Sequence, residues 1–376
     1  MSDTATAAGR NRATEPNRIF NGIQALRGIA AVMVVVHHST ILWGMYHGWG
    51  VWGNGAAGTD IFFIISGFVM VVATVGRESP LHPARKFLER RIARVVPLYW
   101  LITAVVVAKG LLVRSNSEFQ NHVAHVAYTP AYVLCSLFFI PFKDTSPIVF
   151  TGWTLSYEMF FYLLFAIPLA LRIGVVRTLA PLLLILGVLG YLNHAGWPAI
   201  AMLVSPLLLE FLAGLLLGYA VLHGKIGNHW LMGALGILAM VVLCLVGLPY
   251  LSLRLLIWGV PAFCILLGTV AMEPVASRGW PGWVLLIGDS SYSLYLSHVV
   301  VLPVVEKILV MSGLLRTNEG GFATEIPVVI ISSVISIVVG LAVFLWIERP
   351  MNGIIRRYLL HEKPQRSLYA GATKAS

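Results

Sequence analysis

Apolar residues in this chain come in runs of membrane-crossing length, separated by short polar or basic connectors. The runs fall at 22–43, 58–76, 95–113, 152–171, 175–192, 199–222, 231–249, 252–272, 290–311 and 326–347. They predict an all-α, polytopic membrane protein with about ten transmembrane helices. The connector 114–151 holds one more apolar piece, 131–142, which is too short to cross and suits an interfacial or re-entrant position. The connector 47–57 carries Trp49 and Trp52 as interface anchors. It also contains Gly53-Asn54-Gly55-Ala56-Ala57-Gly58, spelled G-x-G-x-x-G. No strand precedes that string and no βαβ unit surrounds it, so it reads as a flexible turn and not as a nucleotide fingerprint. In the sixth span Glu210 is expected near the middle, and Gly214 with Gly218 predicts close helix packing.

Composition strengthens this picture. Of 376 residues, 58% are hydrophobic and only 11% charged, against about 25% charged in soluble domains. A formal net charge of +10 would suit nucleic acid, but basic residues in such a chain usually mark cytoplasmic loops. Alternate connectors carry nineteen Lys/Arg on one side and four on the other. That bias predicts both termini cytoplasmic. The expected organisation is a basic tail at 1–20, a membrane domain at 21–350 and a second basic tail at 351–376, without internal repeats. The apolar core of the first span runs into His-His-Ser-Thr-Ile-Leu-Trp with no A-x-A site, which argues against a cleaved signal peptide. Three cysteines, Cys135, Cys244 and Cys264, form no C-x-x-C and no disulfide framework, although a Cys135–Cys244 bridge is conceivable. Redox chemistry and zinc find no support, and no metal is expected.

Against this apolar background the ionisable residues stand out. Side chains of this kind within a membrane helix are costly and mark candidate functional sites. The first span opens Leu26-Arg27-Gly28 and holds His37 and His38 well inside. Eleven residues bring His38 back within about 20° of Arg27 and roughly 16 Å further along the helix, whereas His37 lies about 80° off that line. Arg90, Arg91 and Arg94 end a basic loop, 77–94, at the expected cytoplasmic mouth of span three. Asp60 and Glu158 open spans that enter from outside, at a depth comparable with His38. A carboxylate beside a histidine fixes its tautomer and stabilises its cation, as a general base requires. The arginines suit a phosphorylated donor such as coenzyme A, or else simply topology and anionic lipid. Asp60 could equally cap its helix, Glu158 could pair with a tyrosine, and His298 could be a packing residue.

Taken together, these residues resemble a known family. The set is Leu26-Arg27-Gly28 followed by His38; Asp60-Ile61-Phe62-Phe63 with Ser66-Gly67-Phe68; Arg90-Arg91-Ile92-Ala93-Arg94 with Pro97-Leu98-Tyr99; Trp153 through Glu158 with Phe161-Tyr162; and Tyr292-Ser293-Leu294-Tyr295 with His298. In that order it resembles the acyltransferase-3 family of integral membrane O-acyltransferases over about residues 20–350, most of all the branch that acetylates bacterial exopolysaccharides. The resemblance implies a multi-pass protein of the bacterial inner membrane. It implies transfer of an acyl group, usually acetyl from acetyl-CoA, to a carbohydrate or glycolipid hydroxyl, with polysaccharide-biosynthesis proteins as partners. It places the donor on Arg27, Arg90, Arg91 and Arg94, and the chemistry on His38, as general base or acyl carrier, with Asp60 or Glu158 as its acidic partner. The family's late histidine falls on His298. Ser66 and Tyr292 are candidate donors to the oxyanion. Some members carry a further SGNH hydrolase-like domain, for which this chain is expected to be too short. The competing readings are a flippase for polysaccharide or lipid-linked sugar, whose path the same charges would line, and an acyltransferase for a small molecule or glycolipid.

Overall fold

The computed structural model describes residues 20–47, 53–75, 83–112, 129–142, 145–193, 198–245, 253–276, 279–313 and 322–358. Lipid offers no hydrogen bonds to an open backbone, so apolar runs of this length close their amides within helices. In chain order these are α1 (Asn21–His47), a 3₁₀ turn (Gly53–Ala57), α2 (Gly58–Thr74), α3 (Pro83–Leu112), the short α4 (Pro130–Leu137), α5 (Gly152–Leu171), α6 (Val175–Leu189) and α7 (Leu208–Leu222). There follow α8 (His229–Leu245), α9 (Val260–Ala276), α10 (Gly282–Asp289), α11 (Ser291–Met311), α12 (Phe322–Val343) and α13 (Arg349–Tyr358). No β-strand occurs among the described residues; the nearest thing is an isolated bridge, Phe142–Thr145.

Nine helical stretches among the described residues are long and apolar enough to cross a membrane. The expected seventh span falls on α8, whose 17 residues reach about 25 Å, short of a hydrocarbon core of about 30 Å. Trp49 and Trp52, the N-terminal tail through residue 19 and the C-terminal tail from residue 359 lie outside the described residues.

Three local expectations are corrected. The basic stretch before span three is helical from Pro83, so Arg90, Arg91 and Arg94 lie well inside α3 and not in a loop at its mouth. Its charges mask the apolar signal, but the helix signals are present: proline in the opening position and an Arg85–Glu89 pair at i,i+4, 2.7 Å apart. The sixth span is broken. A 3₁₀ turn (Ala199–Leu203) and a bend containing Pro206, which has no amide hydrogen to give, precede α7, so Glu210 sits in its first turn. The G-x-G-x-x-G string is a clamped turn and not a flexible one. A Cβ added at Gly55 would lie 2.2 Å from the Met33 carbonyl oxygen, and one at Gly58 would lie 2.4 Å from that of Ala30.

Lipid chains are as apolar as leucine, so backbone proximity and polar contacts, not hydrophobic contrast, decide which faces meet. The expected Gly214–Gly218 step does this on α7. A Cβ at Gly214 would come within 1.9 Å of the Ile64 carbonyl oxygen, and one at Gly67 of α2 within 2.1 Å of that of Phe211. α1 packs against α2, α9, α10, α11 and α12. Its N-terminal amides, orphaned in any helix, are capped by Glu273 of α9, which accepts from Asn21 N–H (2.8 Å) and Gly22 N–H (2.9 Å). The helix carrying Arg27 and His38 is thereby held on several sides. All three cysteines are free.

Candidate active site

A cavity of about 110 Å³ lies between α1, α2, α3, α5 and α11. Arg27, Ser66, Arg91, Arg94, Glu158 and Tyr292 all line it. Arg91 and Arg94 are one turn apart on α3 and share a face, while Arg90 is exposed. Three cations and one carboxylate in the walls make the cavity a place for an anion.

Arg27, Arg91 and Glu158 are each held by their neighbours. Arg27 donates through Nη1 to Gln24 Oε1 (2.9 Å) and through Nη2 to Ser291 Oγ (2.9 Å). Gln24 in turn donates to Asp289 at the end of α10. A Cβ at Gly288 would come within 2.0 Å of the Gln24 carbonyl oxygen, so only glycine allows α10 to approach this closely. Glu158 accepts from Tyr162 OH and from Ser66 Oγ (3.3 Å). The Arg91 guanidinium lies over the rings of Phe87 (5.6 Å) and Tyr162 (5.8 Å), a cation–π arrangement, and its buried Nε has no partner among the described residues. Tyr292 donates to the Val95 carbonyl (2.6 Å). The hydroxyl protons of Ser66 and Tyr292 are therefore already engaged. Behind the wall Ser293 donates to the buried Glu348 (2.5 Å), which lies within electrostatic reach of Arg94 and Arg27.

His38 and His298 do not line this cavity. They meet in a much smaller apolar pocket, about 10 Å³, with Leu42, Phe150, Val299, Leu302 and Pro303. His298 Nδ1 is 3.1 Å from the Leu294 carbonyl, which can only accept, so that nitrogen carries the proton. The same logic protonates His38 Nδ1, 3.0 Å from the Val34 carbonyl. His38 Nδ1 is also 3.1 Å from His298 Nε2, which in the neutral ring is an acceptor. The acceptors around the pair thus assign both tautomers. They leave His38 Nε2 with its lone pair, as a base requires. The helical-face argument holds as well: Arg27 and His38 both meet α11, one at Ser291 and the other at His298. His37 packs edge-on to His38, with ring centroids 5.2 Å apart.

The two expected acidic partners are elsewhere. Glu158 belongs to the arginine cavity. Asp60, fully buried, is bound by Arg254 through Nε (3.1 Å) and Nη2 (2.9 Å). Arg254 also donates to Thr59 (3.0 Å) and lies over the rings of Trp153 and Trp258. Sequence reasoning gave Arg254, Gln24, Ser291, Asp289 and Glu348 no role. The signal available for Arg254 and Glu348 was the general one, a charge bordering an apolar run; nothing marked Gln24 or Ser291.

Residues 20–345 match the acyltransferase-domain model of the acyltransferase-3 family. The exopolysaccharide production protein ExoZ of Rhizobium meliloti (strain 1021) is 34% identical over 310 residues, covering 79% of this chain and 89% of its own length. The "Putative membrane-bound transacylase BcsY" of Komagataeibacter xylinus is 31% identical over 177 residues, 43% of this chain and 42% of its own. The "Putative peptidoglycan O-acetyltransferase YrhL" of Bacillus subtilis (strain 168) is 26% identical over 188 residues, 47% and 28% respectively. No solved structure matches the chain significantly. With a family match over most of its length and a relative aligned nearly end to end, this multi-pass membrane protein belongs to the acyltransferase-3 family and is an acyltransferase.

Proposed function

We propose that the protein transfers an acetyl group from acetyl-CoA to a hydroxyl of a secreted or cell-surface carbohydrate, across the inner membrane of a bacterium. The observation that carries this reading is the convergence of Arg27, Arg91 and Arg94 on one cavity inside the membrane domain, in a chain aligned along most of its length with an exopolysaccharide production protein. Guanidinium groups bind phosphate through paired hydrogen bonds. The phosphates of coenzyme A suit this cavity, with the exposed Arg90 adjacent in sequence to Arg91, and the positive-inside charge bias favours a cytoplasmic approach for the donor.

In this reading His38 Nε2 takes the proton of the acceptor hydroxyl as its oxygen attacks the thioester carbonyl. The C–O bond forms, the C–S bond breaks, and the proton passes from His38 to the departing thiolate. His298 holds His38 in the productive tautomer, the part sequence reasoning assigned to a carboxylate. Glu158 balances the arginine charge while the donor is absent. Asp60 keeps Arg254 neutralised and so shapes the α2 side of the cavity through Thr59. Ser66 and Tyr292 serve the oxyanion only by exchanging their present bonds to Glu158 and Val95.

The test is a His38→Ala variant expressed in the native host, with acetyl measured separately on exported polysaccharide and in the lipid fraction. The reading expects polymer export to continue while its acetyl is lost. Wild-type acetyl on the polymer at normal expression would sink it, and loss confined to the lipid fraction would move the acceptor to a glycolipid. Binding of labelled acetyl-CoA to purified protein tests the donor independently.

A further inference from the structure

The arginine cavity and the histidine pocket share no lining residue among the described residues, and Tyr295 is in contact with both the cavity and a histidine of the pocket. Tyr295 of α11 lines the cavity, and its ring centroid is 6.0 Å from that of His298, one turn further along the same helix. Phe62 of α2 backs the ring on the cavity side at 6.0 Å. The phenol is only 6% exposed, and its position is fixed at the tip. Tyr295 OH and Thr154 Oγ1 are 2.7 Å apart, and both reach the Thr151 carbonyl, at 3.2 Å and 2.9 Å. Two hydroxyl protons serve these three contacts: one joins the hydroxyls and the other goes to the carbonyl. The turn carrying this latch also presents Phe150 to His38, with ring centroids 5.9 Å apart. Tyr295 and Thr154 thus border the charged cavity, while Tyr295 touches His298 and Phe150, beside Thr151, touches His38.

We infer that Tyr295 is a positioning residue, a wall that keeps a bound acyl thioester away from His38 until it opens. This rests on the reading of the arginine cavity as the donor site. The reason for such a wall is chemical. A base that activates a sugar hydroxyl activates water equally well. In the unwanted reaction water attacks the thioester carbonyl, His38 takes its proton, the C–S bond breaks and the proton returns to the thiolate, giving free carboxylic acid and coenzyme A thiol. A latched ring between base and carbonyl suppresses that loss in the absence of acceptor.

The experiment measures acetyl-CoA hydrolysis by the purified full chain without acceptor, alongside acetyl-CoA binding, for wild type, Tyr295→Phe and Tyr295→Ala. Tyr295→Phe keeps the ring and removes the latch. Losing one net hydrogen bond shifts an opening equilibrium about fivefold to tenfold, and hydrolysis rises by that factor. Tyr295→Ala removes the wall, and hydrolysis rises further. Damage to the fold lowers binding and hydrolysis together, so an increase in hydrolysis per bound donor is a signature that a packing role does not produce. Unchanged or lower hydrolysis in both variants with normal donor binding overturns the wall and leaves the donor site standing. Failure of wild type to bind acetyl-CoA overturns the donor reading and the wall with it. A Tyr295→Ala/His38→Ala double variant must return hydrolysis to the wild-type background; persistence of the gain would mean that the base is not what the wall shields.

Discussion

The two ends of the α1 face that carries Arg27 and His38 differ in almost every physical respect. At the Arg27 end three guanidinium groups and a carboxylate surround the larger cavity, and its polar side chains form a continuous network from Asp289 through Gln24 and Arg27 to Ser291. At the His38 end two imidazoles share a small pocket whose other walls are aliphatic and aromatic. Cations held in a fixed array recognise a multiply charged ligand, and water can follow that ligand in. A neutral imidazole with one bare nitrogen in an apolar pocket moves a proton and excludes bulk solvent. Binding and chemistry make opposite demands on their surroundings, and in the proposed reading the two are kept a few turns apart on one helix.

Substitutions at the two ends should therefore fail differently. The largest effect is expected for His38→Ala. Loss of a general base costs about 10²–10⁴ in rate, measured as acetyl transferred per unit time, while labelled acetyl-CoA binding stays at the wild-type level. Weakened donor binding in that variant would erase the division between the ends.

Next comes Arg254→Ala, which lines neither space but bonds to Thr59 in the cavity wall. Breaking a buried ion pair costs about 3–5 kcal/mol, and the loss should appear as less folded protein and a lower unfolding temperature in detergent. The donor KM of the surviving protein should rise less than in the Arg27 variant below.

Arg27→Gln should show the converse of the histidine variant. One charge-assisted contact to a phosphate is worth about 1.5–3 kcal/mol, so donor affinity falls about tenfold to hundredfold. Arg27→Lys recovers only part of it, because an ammonium cannot reproduce the two-pronged contact.

The smallest effect is expected for His298→Ala. His38 Nδ1 keeps the Val34 carbonyl, so orientation is loosened but not lost, and kcat drops about tenfold with donor KM constant. An equal loss in KM would show that His298 acts on the donor end.

Several of these features were legible in the residues alone. The spans at 152–171 and 175–192 begin and end where α5 and α6 do, with α6 giving way to a 3₁₀ turn at Gly190–Leu192, because in lipid a helix must run as long as its apolar residues do. The start of α3 was hidden, since hydropathy measures partition into lipid and a helix side facing an aqueous cavity has no need of it. The break before α7 was hidden because a proline two residues ahead of that helix interrupts hydrogen bonding without interrupting hydrophobicity.

Local sequence determined the helices, their approximate ends, the glycines through which they approach, the facing of Arg27 and His38 and the identity of the residues worth suspecting. Each of these follows from properties of one segment and its solvent. Tertiary structure alone decided the partners. His298 and not a carboxylate meets His38, Asp60 is committed to Arg254, Glu158 joins the arginines, and Tyr295 lines the cavity while touching His298. The first three pairings connect residues about 90 to 260 positions apart, and they depend on how far one helix slides and turns against another. Backbone contacts at Gly67, Gly214 and Gly288 settle that register to within an ångström, a precision that no single apolar run encodes.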